Sequence, residues 1–124
     1  MKFLIVDDSN AIALMVSEML KEMGYTSDRA VDGNDAVKKL EADNSFDFIL
    51  LDWNMPNMSG IEFLKYNYEN HLTETPIIMM TTENKPENIR EALMFGASEY
   101  IMKPFTKDII ESKISMLNQF KKVA

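Results

Sequence analysis

The stretch Phe46-Asp47-Phe48-Ile49-Leu50-Leu51-Asp52, residues 46–52, decides the fold class. Its apolar part, Phe46 to Leu51, is too short for an ordinary helix and ends at a carboxylate. Two other short runs, Phe3 to Asp7 and Pro76 to Met80, have the same character. Runs that are apolar throughout, instead of at every second position, are typical of strands buried on both faces of a parallel sheet.

The segments that follow these runs have apolar residues at the spacing of an α-helix. After the first run, apolar residues recur at helical spacing: Ile12, Met15, Val16, Met19, Leu20 and Met23. Similar patterns mark helices around 36–40, 61–64, 89–95 and 109–117, and Gly24 and Gly96 are helix stop signals. Tyr25 to Val31 and Tyr100 to Met102 predict two further strands. The chain therefore reads as five strand–helix units.

Strands that alternate with helices predict an α/β fold with helices on both faces of a parallel sheet. We expect one domain over residues 1–124, a flavodoxin-like (βα)5 three-layer sandwich. Its five-stranded sheet is expected in the order 2-1-3-4-5, which is carried over from known doubly wound folds.

Composition narrows the function classes. The 124 residues carry a net charge of -7, which argues against binding to nucleic acid or to anionic membranes. The apolar start of the chain is interrupted by Asp7 and Asp8, well short of a signal peptide or a membrane span. Since cysteine is absent, a disulfide framework and a thiolate zinc site are excluded. We expect a cytoplasmic protein.

Three carboxylates fall at predicted strand ends: Asp7 and Asp8 after the first strand, and Asp52 after the third. Ligands of open parallel sheets bind beyond the carboxyl ends of the strands, where the strand order reverses; in the order 2-1-3-4-5 that point lies between strands one and three. The three side chains should therefore converge. Crowded carboxylates repel one another and favour a hard dication such as Mg²⁺. Taken singly, Asp8 has an alternative role as a helix N-cap and Asp7 as a solvated strand end.

Four motifs in this order resemble the receiver domains of two-component response regulators, and the match spans nearly the whole chain. They are Val6-Asp7-Asp8-Ser9, Asp52-Trp53-Asn54-Met55-Pro56, Thr81-Thr82 and Lys103-Pro104-Phe105. Within that family the chain most resembles the chemotaxis regulators, on the stretch from Asp52 to Met58, on Glu87-Asn88-Ile89 and on Gly96-Ala97-Ser98 followed by Tyr100.

The resemblance implies a role for each motif. Asp52 would accept a phosphoryl group, while Asp7, Asp8 and the backbone carbonyl of Asn54 would join it in holding Mg²⁺, or alternatively Mn²⁺. Lys103 and Thr81 would meet the phosphoryl oxygens, and the Lys103-Pro104 bond would be cis. The chemistry is consistent, because phosphoryl transfer depends mainly on positioning and on electrostatic stabilisation. Lys103 as a surface lysine and Thr81 as an ordinary strand residue remain open alternatives.

A switch and an output surface are also implied. Thr81 would move toward the phosphoryl group and Tyr100 would turn inward, although a permanently packed Tyr100 is an open alternative. Asn54 and Glu83 would tune the phosphoryl lifetime, or would be ordinary solvated loop residues. The partner face would combine the fourth helix, fifth strand and fifth helix, with five candidate contact residues: Ile89, Leu93, Tyr100, Met102 and Lys113.

The partners follow from the same resemblance. The donor would be a chemotaxis-type histidine kinase, and the output partner a flagellar motor switch protein or, in a phosphorelay, a histidine phosphotransfer domain. A phosphatase is a further candidate partner, and the protein is expected to be a monomer without an effector domain. It would catalyse only its own phosphorylation and dephosphorylation. An Asp-nucleophile phosphatase is a weaker alternative, because those enzymes carry Asp-x-Asp where this chain has adjacent Asp7 and Asp8.

Overall fold

The computed structural model describes residues 1–82 and 84–123, with side chains as far as residue 118. Strands and helices alternate from end to end. The elements are β1 (Lys2–Val6), α1 (Asn10–Glu22), β2 (Thr26–Ala30), α2 (Gly33–Ala42), β3 (Phe48–Asp52), α3 (Gly60–Asn70), β4 (Ile77–Thr81), α4 (Pro86–Met94), β5 (Glu99–Met102) and α5 (Lys107–Val123).

All five strands form one sheet in the order β2-β1-β3-β4-β5, and every pair is parallel. The predicted fold class and strand order are thus confirmed. The predicted strands differ from the observed ones by one or two residues at their ends. β3 begins at Phe48 instead of Phe46, and Asp52 is its last residue and not the residue beyond it.

Two apolar layers lie on opposite faces of the sheet and make the three-layer sandwich. On one face α2, α3 and α4 contribute Ala36, Leu40, Phe63, Leu64 and Ala92 to the core. On the other face α1 and α5 contribute Ala13, Val16, Leu20, Ile110 and Ile114. Because the inner strands are packed on both sides, all five residues of β3 and of β4 are buried.

Serine residues cap the N-termini of α1 and α3, the helices that follow β1 and β3. Ser9 is the N-cap of α1 and accepts a hydrogen bond from the Ile12 amide at 3.2 Å. The alternative role of Asp8 as that N-cap is therefore wrong. Ser59 starts α3 in a capping box with Glu62, which satisfies amide groups at both ends of the first turn. Among the described residues, no helix is long and apolar enough to cross a membrane.

Candidate functional site

Three carboxylates meet at the carboxyl edge of the sheet. Asp7 directly follows β1, Asp52 ends β3, and these two strands are neighbours. With Asp8 they offer carboxylate oxygens that all lie within 4.8 Å of one another. Asp7 is only 1% exposed and Asp52 7%, whereas Asp8 is exposed. The predicted convergence is therefore present, and the alternative role of Asp7 as a solvated strand end is wrong.

Lys103 reaches this cluster from the end of β5. Its Nζ donates to Oδ1 of Asp52 at 2.9 Å and to Oδ2 of Asp7 at 3.2 Å. The Lys103 backbone amide also donates to the Thr81 carbonyl at 2.8 Å, which fixes the lysine to the end of β4. The Lys103-Pro104 peptide bond is cis, as the resemblance implied. Lys103 is thus a component of the cluster and not a surface lysine.

Burial and charge together set the ionisation of the pair. Burial raises the pKa of Asp52, the charges of Asp7 and Asp8 raise it further, and the hydrogen bond from Lys103 offsets only part of this effect. Burial alone would lower the pKa of Lys103, but its hydrogen bonds and charge interactions with Asp52 and Asp7 outweigh burial and raise it. Lys103 therefore stays cationic at neutral pH. Ionisation of Asp52 costs free energy in the folded protein, and additional positive charge nearby would lower that cost.

The cluster fits a hard cation. Its donors are all carboxylate oxygens, the ligand type that Mg²⁺ prefers, and they come from two rigid strand ends. Asp8 has no hydrogen bond or ion pair to any of the described residues, so its oxygens are available as ligands. The Asn54 side chain is exposed two residues beyond Asp52. A contribution from the Asn54 carbonyl stays a prediction.

The predicted switch residues lie on the two strands beyond β3, Thr81 on β4 and Tyr100 on β5. Thr81 ends β4, is 2% exposed, and lies opposite Met102 in the β4–β5 register. Tyr100 lies opposite Met79 and is partly buried against the core layer under α4. Movement of either side chain stays a prediction.

Part of the predicted partner face lines an open groove beside α4. Ile89, Leu93 and Tyr100 line it together with Asn84, Pro86 and Arg90. Met102 and Lys113 are not among the lining residues: Met102 is partly exposed, and the ammonium of Lys113 pairs with Glu99 at 3.4 Å. Glu83, predicted to tune the phosphoryl lifetime, lies outside the described residues.

The response regulator receiver domain model matches residues 3–115 of the chain. The chain belongs to this family. As a receiver domain it is similar to the chemotaxis protein CheY of Pseudomonas aeruginosa, with 38% identity over 94% of this chain and 95% of that protein. It is also similar to CheY-3 of Vibrio cholerae, with 36% identity over 94% of this chain and 91% of that protein.

Solved structures agree with this assignment. The structure of CheY4 from Vibrio cholerae is 39% identical, covers 93% of this chain and 96% of its own, and superimposes with a TM-score of 0.84. The receiver domain of the Francisella response regulator 1452 is 32% identical, covers 97% of this chain and 98% of its own, and has a TM-score of 0.86. The protein is therefore a receiver domain of the CheY-like type, a class of signalling proteins with a Mg²⁺-binding acidic pocket.

Two contacts that support the receiver site were not predicted from the sequence, one made by Gly60 and one by Arg29. A Cβ on Gly60 would lie 2.3 Å from the Asp52 carbonyl oxygen, so only glycine lets α3 begin against the end of β3. Arg29 on β2 donates hydrogen bonds to the Asp7 carbonyl. The Ser59-x-x-Glu62 pattern is the sequence signal that places the start of α3 at Gly60. No sequence signal links Arg29 to Asp7, because their contact depends on the pairing of β1 with β2.

Proposed function

We propose that the protein accepts a phosphoryl group on Asp52 in a Mg²⁺-dependent reaction and transmits this state by binding a partner protein. The observation that carries the proposal is the cluster itself, in which three carboxylates share one edge of the sheet and Lys103 donates to Asp52 at 2.9 Å. Phosphoryl transfer requires positive charge beside the attacking carboxylate, and Lys103 places that charge at the end of the strand that carries Asp52.

The proposed step is an in-line displacement at phosphorus. One Asp52 oxygen attacks the phosphoryl group of a phosphohistidine, the phosphorus–nitrogen bond breaks, and the released imidazole of the donor takes up a proton. The carboxylate needs no general base, because it is ionised when it acts as the nucleophile. Hydrolysis of the resulting acyl phosphate by water would return Asp52 to its starting state.

The chain's own residues divide the remaining work. Asp7, Asp8 and Asp52, with the Asn54 carbonyl, would hold Mg²⁺ or Mn²⁺. When bound, the cation supplies positive charge to the phosphoryl oxygens. Lys103 holds its ammonium at the Asp52 oxygen from the start of the reaction, and Thr81 would donate its hydroxyl to the transferred group. Asn54 and Glu83 would set the lifetime of the phosphoryl group by controlling the approach of water.

The output would use the groove beside α4. Ile89, Leu93 and Tyr100 give it an apolar lining at the surface, which suits a partner helix or peptide better than a charged ligand. Thr81 and Tyr100 lie on adjacent strands, and a shift of Thr81 toward the phosphoryl group would leave space into which Tyr100 would turn. Met102 and Lys113 would extend the contact along β5 and α5.

Chemotaxis is the pathway that the relatives' names favour, since the similar proteins are chemotaxis proteins. We accordingly propose that a histidine kinase donates the phosphoryl group and that a flagellar motor switch protein binds the phosphorylated form. A phosphatase is proposed as a further partner, and all of these proteins would act in the cytoplasm. A phosphorelay shuttle that passes its phosphoryl group to a histidine phosphotransfer domain is the second candidate, because it would use the same chemistry at Asp52. The protein itself would act as a monomer, with residues 1–124 forming one receiver domain.

The decisive experiment treats the protein with a small acyl phosphate in the presence and absence of Mg²⁺, followed by intact mass and peptide mapping. We expect one phosphoryl group, dependent on Mg²⁺ and located on Asp52. Asp52→Asn should abolish it, and Asp108→Asn, at an exposed position in α5, should not. Full labelling of Asp52→Asn would refute the assignment.

A second experiment separates the two outputs. The phosphorylated protein is titrated against a flagellar switch peptide and, separately, against a histidine phosphotransfer domain. We expect phosphorylation-dependent binding to the peptide that weakens in Leu93→Ala. Rapid transfer of the phosphoryl group to the phosphotransfer domain, without peptide binding, would favour the shuttle instead.

A further inference from the structure

Arg29 connects the edge strand β2 to the loop that carries two of the site carboxylates. Its Nε and Nη2 donate to the Asp7 backbone carbonyl at 3.2 and 2.9 Å, and its Nη1 donates to the side chain of Asn10. Asn10 is the first residue of α1. One guanidinium therefore ties together β2, the end of β1 and the start of α1.

The acceptors of Arg29 are unexpected for a cation in an acidic neighbourhood. Asp7, Asp8 and Asp28 are all close in the chain or in the fold, yet Arg29 forms no ion pair with any described residue. The hydrogen bonds of its guanidinium reach a backbone carbonyl and a neutral amide instead, and only the Arg29 backbone amide donates to the Asp28 carboxylate. The arrangement orders the loop and leaves the carboxylates of Asp7 and Asp8 free to face the site.

The Asp7 carbonyl belongs to the peptide group that joins Asp7 to Asp8. The Asp7 carboxylate is fixed separately, because it accepts hydrogen bonds from the Ser9 amide at 2.9 Å and from Lys103 at 3.2 Å. Asp8 has no such contacts to described residues, so the backbone is what limits the directions that its side chain can take. Fixing the plane of this one peptide group therefore restricts the direction of the Asp8 Cα–Cβ bond, and with it the region that the Asp8 carboxylate can reach.

We infer that Arg29 is a positioning residue for the cation site, acting through the Asp7–Asp8 peptide group to hold Asp8 in its ligating direction. This inference rests on the proposed function, because it concerns the same carboxylates. Residues that orient metal ligands are commonly worth ten to a hundredfold in metal affinity, so the effect is large enough to measure.

The sign of the effect separates positioning from simple electrostatics. If the Arg29 charge acted only by repulsion, its removal would strengthen the binding of a dication. If Arg29 holds the peptide group, its removal weakens binding even though a repulsive charge has gone. Arg29→Lys sharpens the distinction, because it keeps the charge but loses the planar fork that places two N–H groups on one oxygen.

The test is a Mg²⁺ titration followed by Trp53 fluorescence and, independently, by the Mg²⁺-dependent rise in Tm. We expect Arg29→Met to weaken binding by about tenfold and Arg29→Lys to weaken it by a comparable factor. Lys21→Met, an equal change of charge at an exposed position in α1, should leave the affinity close to that of the wild type. Circular dichroism of each variant checks that the fold is intact.

The outcomes are distinguishable. Equal or tighter Mg²⁺ binding by Arg29→Met, with a wild type that binds Mg²⁺, would overturn the role of Arg29 and leave the proposed function standing. If Arg29→Met does not fold, Arg29→Lys decides by the same criterion. A wild type that shows no Mg²⁺ response by either readout would overturn the proposed cation site and this inference with it.

Discussion

Lys103 shows most directly how single residues determine the chemistry of the site. Its ammonium touches two carboxylates, and their charges keep its pKa raised in spite of its burial. The same contact offsets part of the rise that burial and the neighbouring acids impose on the pKa of Asp52. Lys103 thus keeps the proposed nucleophile closer to its ionised form and places positive charge where the phosphoryl group would arrive.

Replacement of Lys103 by Met should slow phosphorylation on the order of a hundredfold, the usual cost of removing one electrostatic stabiliser of a transition state. The rate of phosphorylation by a small acyl phosphate at saturating Mg²⁺ measures this effect. Lys107→Met is the matched control, because Lys107 lies on α5 and pairs with Glu22 at 3.4 Å, away from the cluster. An unchanged rate in Lys103→Met would show that the ammonium has no part in the reaction.

Gly60 shows how the contact between two elements determines the site, because the position of Asp52 depends on how α3 begins. The backbone at Gly60 lies against the Asp52 carbonyl, and its amide donates to the Trp53 carbonyl at 2.9 Å. A methyl group there would collide with main-chain atoms, which cannot swing away as a flexible side chain does. The end of β3 or the start of α3 would then have to move.

Gly60→Ala should therefore destabilise the fold by about 1–3 kcal/mol, the scale of overpacking a close contact, and should also impair phosphorylation of Asp52. Ser59→Ala is a strong control, since it removes the capping box at about 1 kcal/mol without adding atoms beside Asp52. Urea unfolding and labelling by an acyl phosphate are measured on both variants. Equal labelling of both at temperatures where both are folded would count against a positioning role for Gly60.

The strands and helices were predictable because they depend on short-range patterns, whereas the strand order was carried over from known doubly wound folds. Apolar runs ending in Asp7 and Asp52 mark strand ends, and the topology then brings those ends together. The start of α1 was less certain, because Asp8 and Ser9 are both good N-caps and only the exact path of the chain selects Ser9. The contact of Arg29 with Asp7 was out of reach, because it depends on the register that pairs Arg29 with Ile5.

The attachment of α4 depends on a few contacts with α3. Ala92 is its one buried residue, so side chains at its rim carry much of the packing. The Phe95 ring, just beyond α4, meets Tyr68 edge to face at 5.4 Å and lies 5.3 Å from the Lys65 ammonium. The Lys65 ammonium also pairs with Glu91 at 3.6 Å. These contacts hold the helix that borders the proposed partner groove.

Phe95→Ala should lower the free energy of unfolding by about 1–2 kcal/mol, since an aromatic pair and a cation–π contact are lost together. It should also speed hydrogen exchange in α4 more than in α1, because α1 buries three residues and does not depend on Phe95. Met94→Ala, one position earlier and largely exposed, is the control. Equal exchange of α4 in both variants would contradict the importance of the α3–α4 contacts.

At the scale of the whole molecule, the acidic site opposes the stability that the two core layers provide. The protein carries a charge of -7, and three of its carboxylates are crowded at one edge of the sheet. Because the folded state raises the pKa of Asp52 above the ordinary value of 3.8, it binds more protons than the unfolded chain between the two values. The resulting stabilisation is present at low pH and is lost as the pH rises through the folded pKa of Asp52.

Other carboxylates act in the opposite direction at lower pH. Hydrogen bonds from the Asp35 amide and the Asn57 side chain lower the pKa of Asp32, and a hydrogen bond from Lys2 lowers that of Asp43. Groups of this kind stabilise the fold above their unfolded pKa near 3.8 and lose that contribution as the pH falls through their folded values. Without metal, stability should therefore be greatest at mildly acidic pH, between these two effects.

Asp52→Asn should remove the loss of stability that accompanies the rise from mildly acidic to neutral pH. In the absence of metal it should therefore raise the free energy of unfolding at pH 7 by roughly 1 kcal/mol, the usual scale for a single polar replacement. Saturating Mg²⁺ should reduce the same decline in the wild type, since it binds only the folded cluster and stabilises in proportion to the logarithm of its concentration. Urea unfolding with a chelator, repeated between about pH 5 and pH 8, measures the difference between the wild type and the variant. Asp108→Asn should follow the wild-type curve throughout. Parallel curves for Asp52→Asn and the wild type would mean that the charge of Asp52 costs the metal-free fold nothing, so the tension that a bound cation is proposed to relieve would be absent.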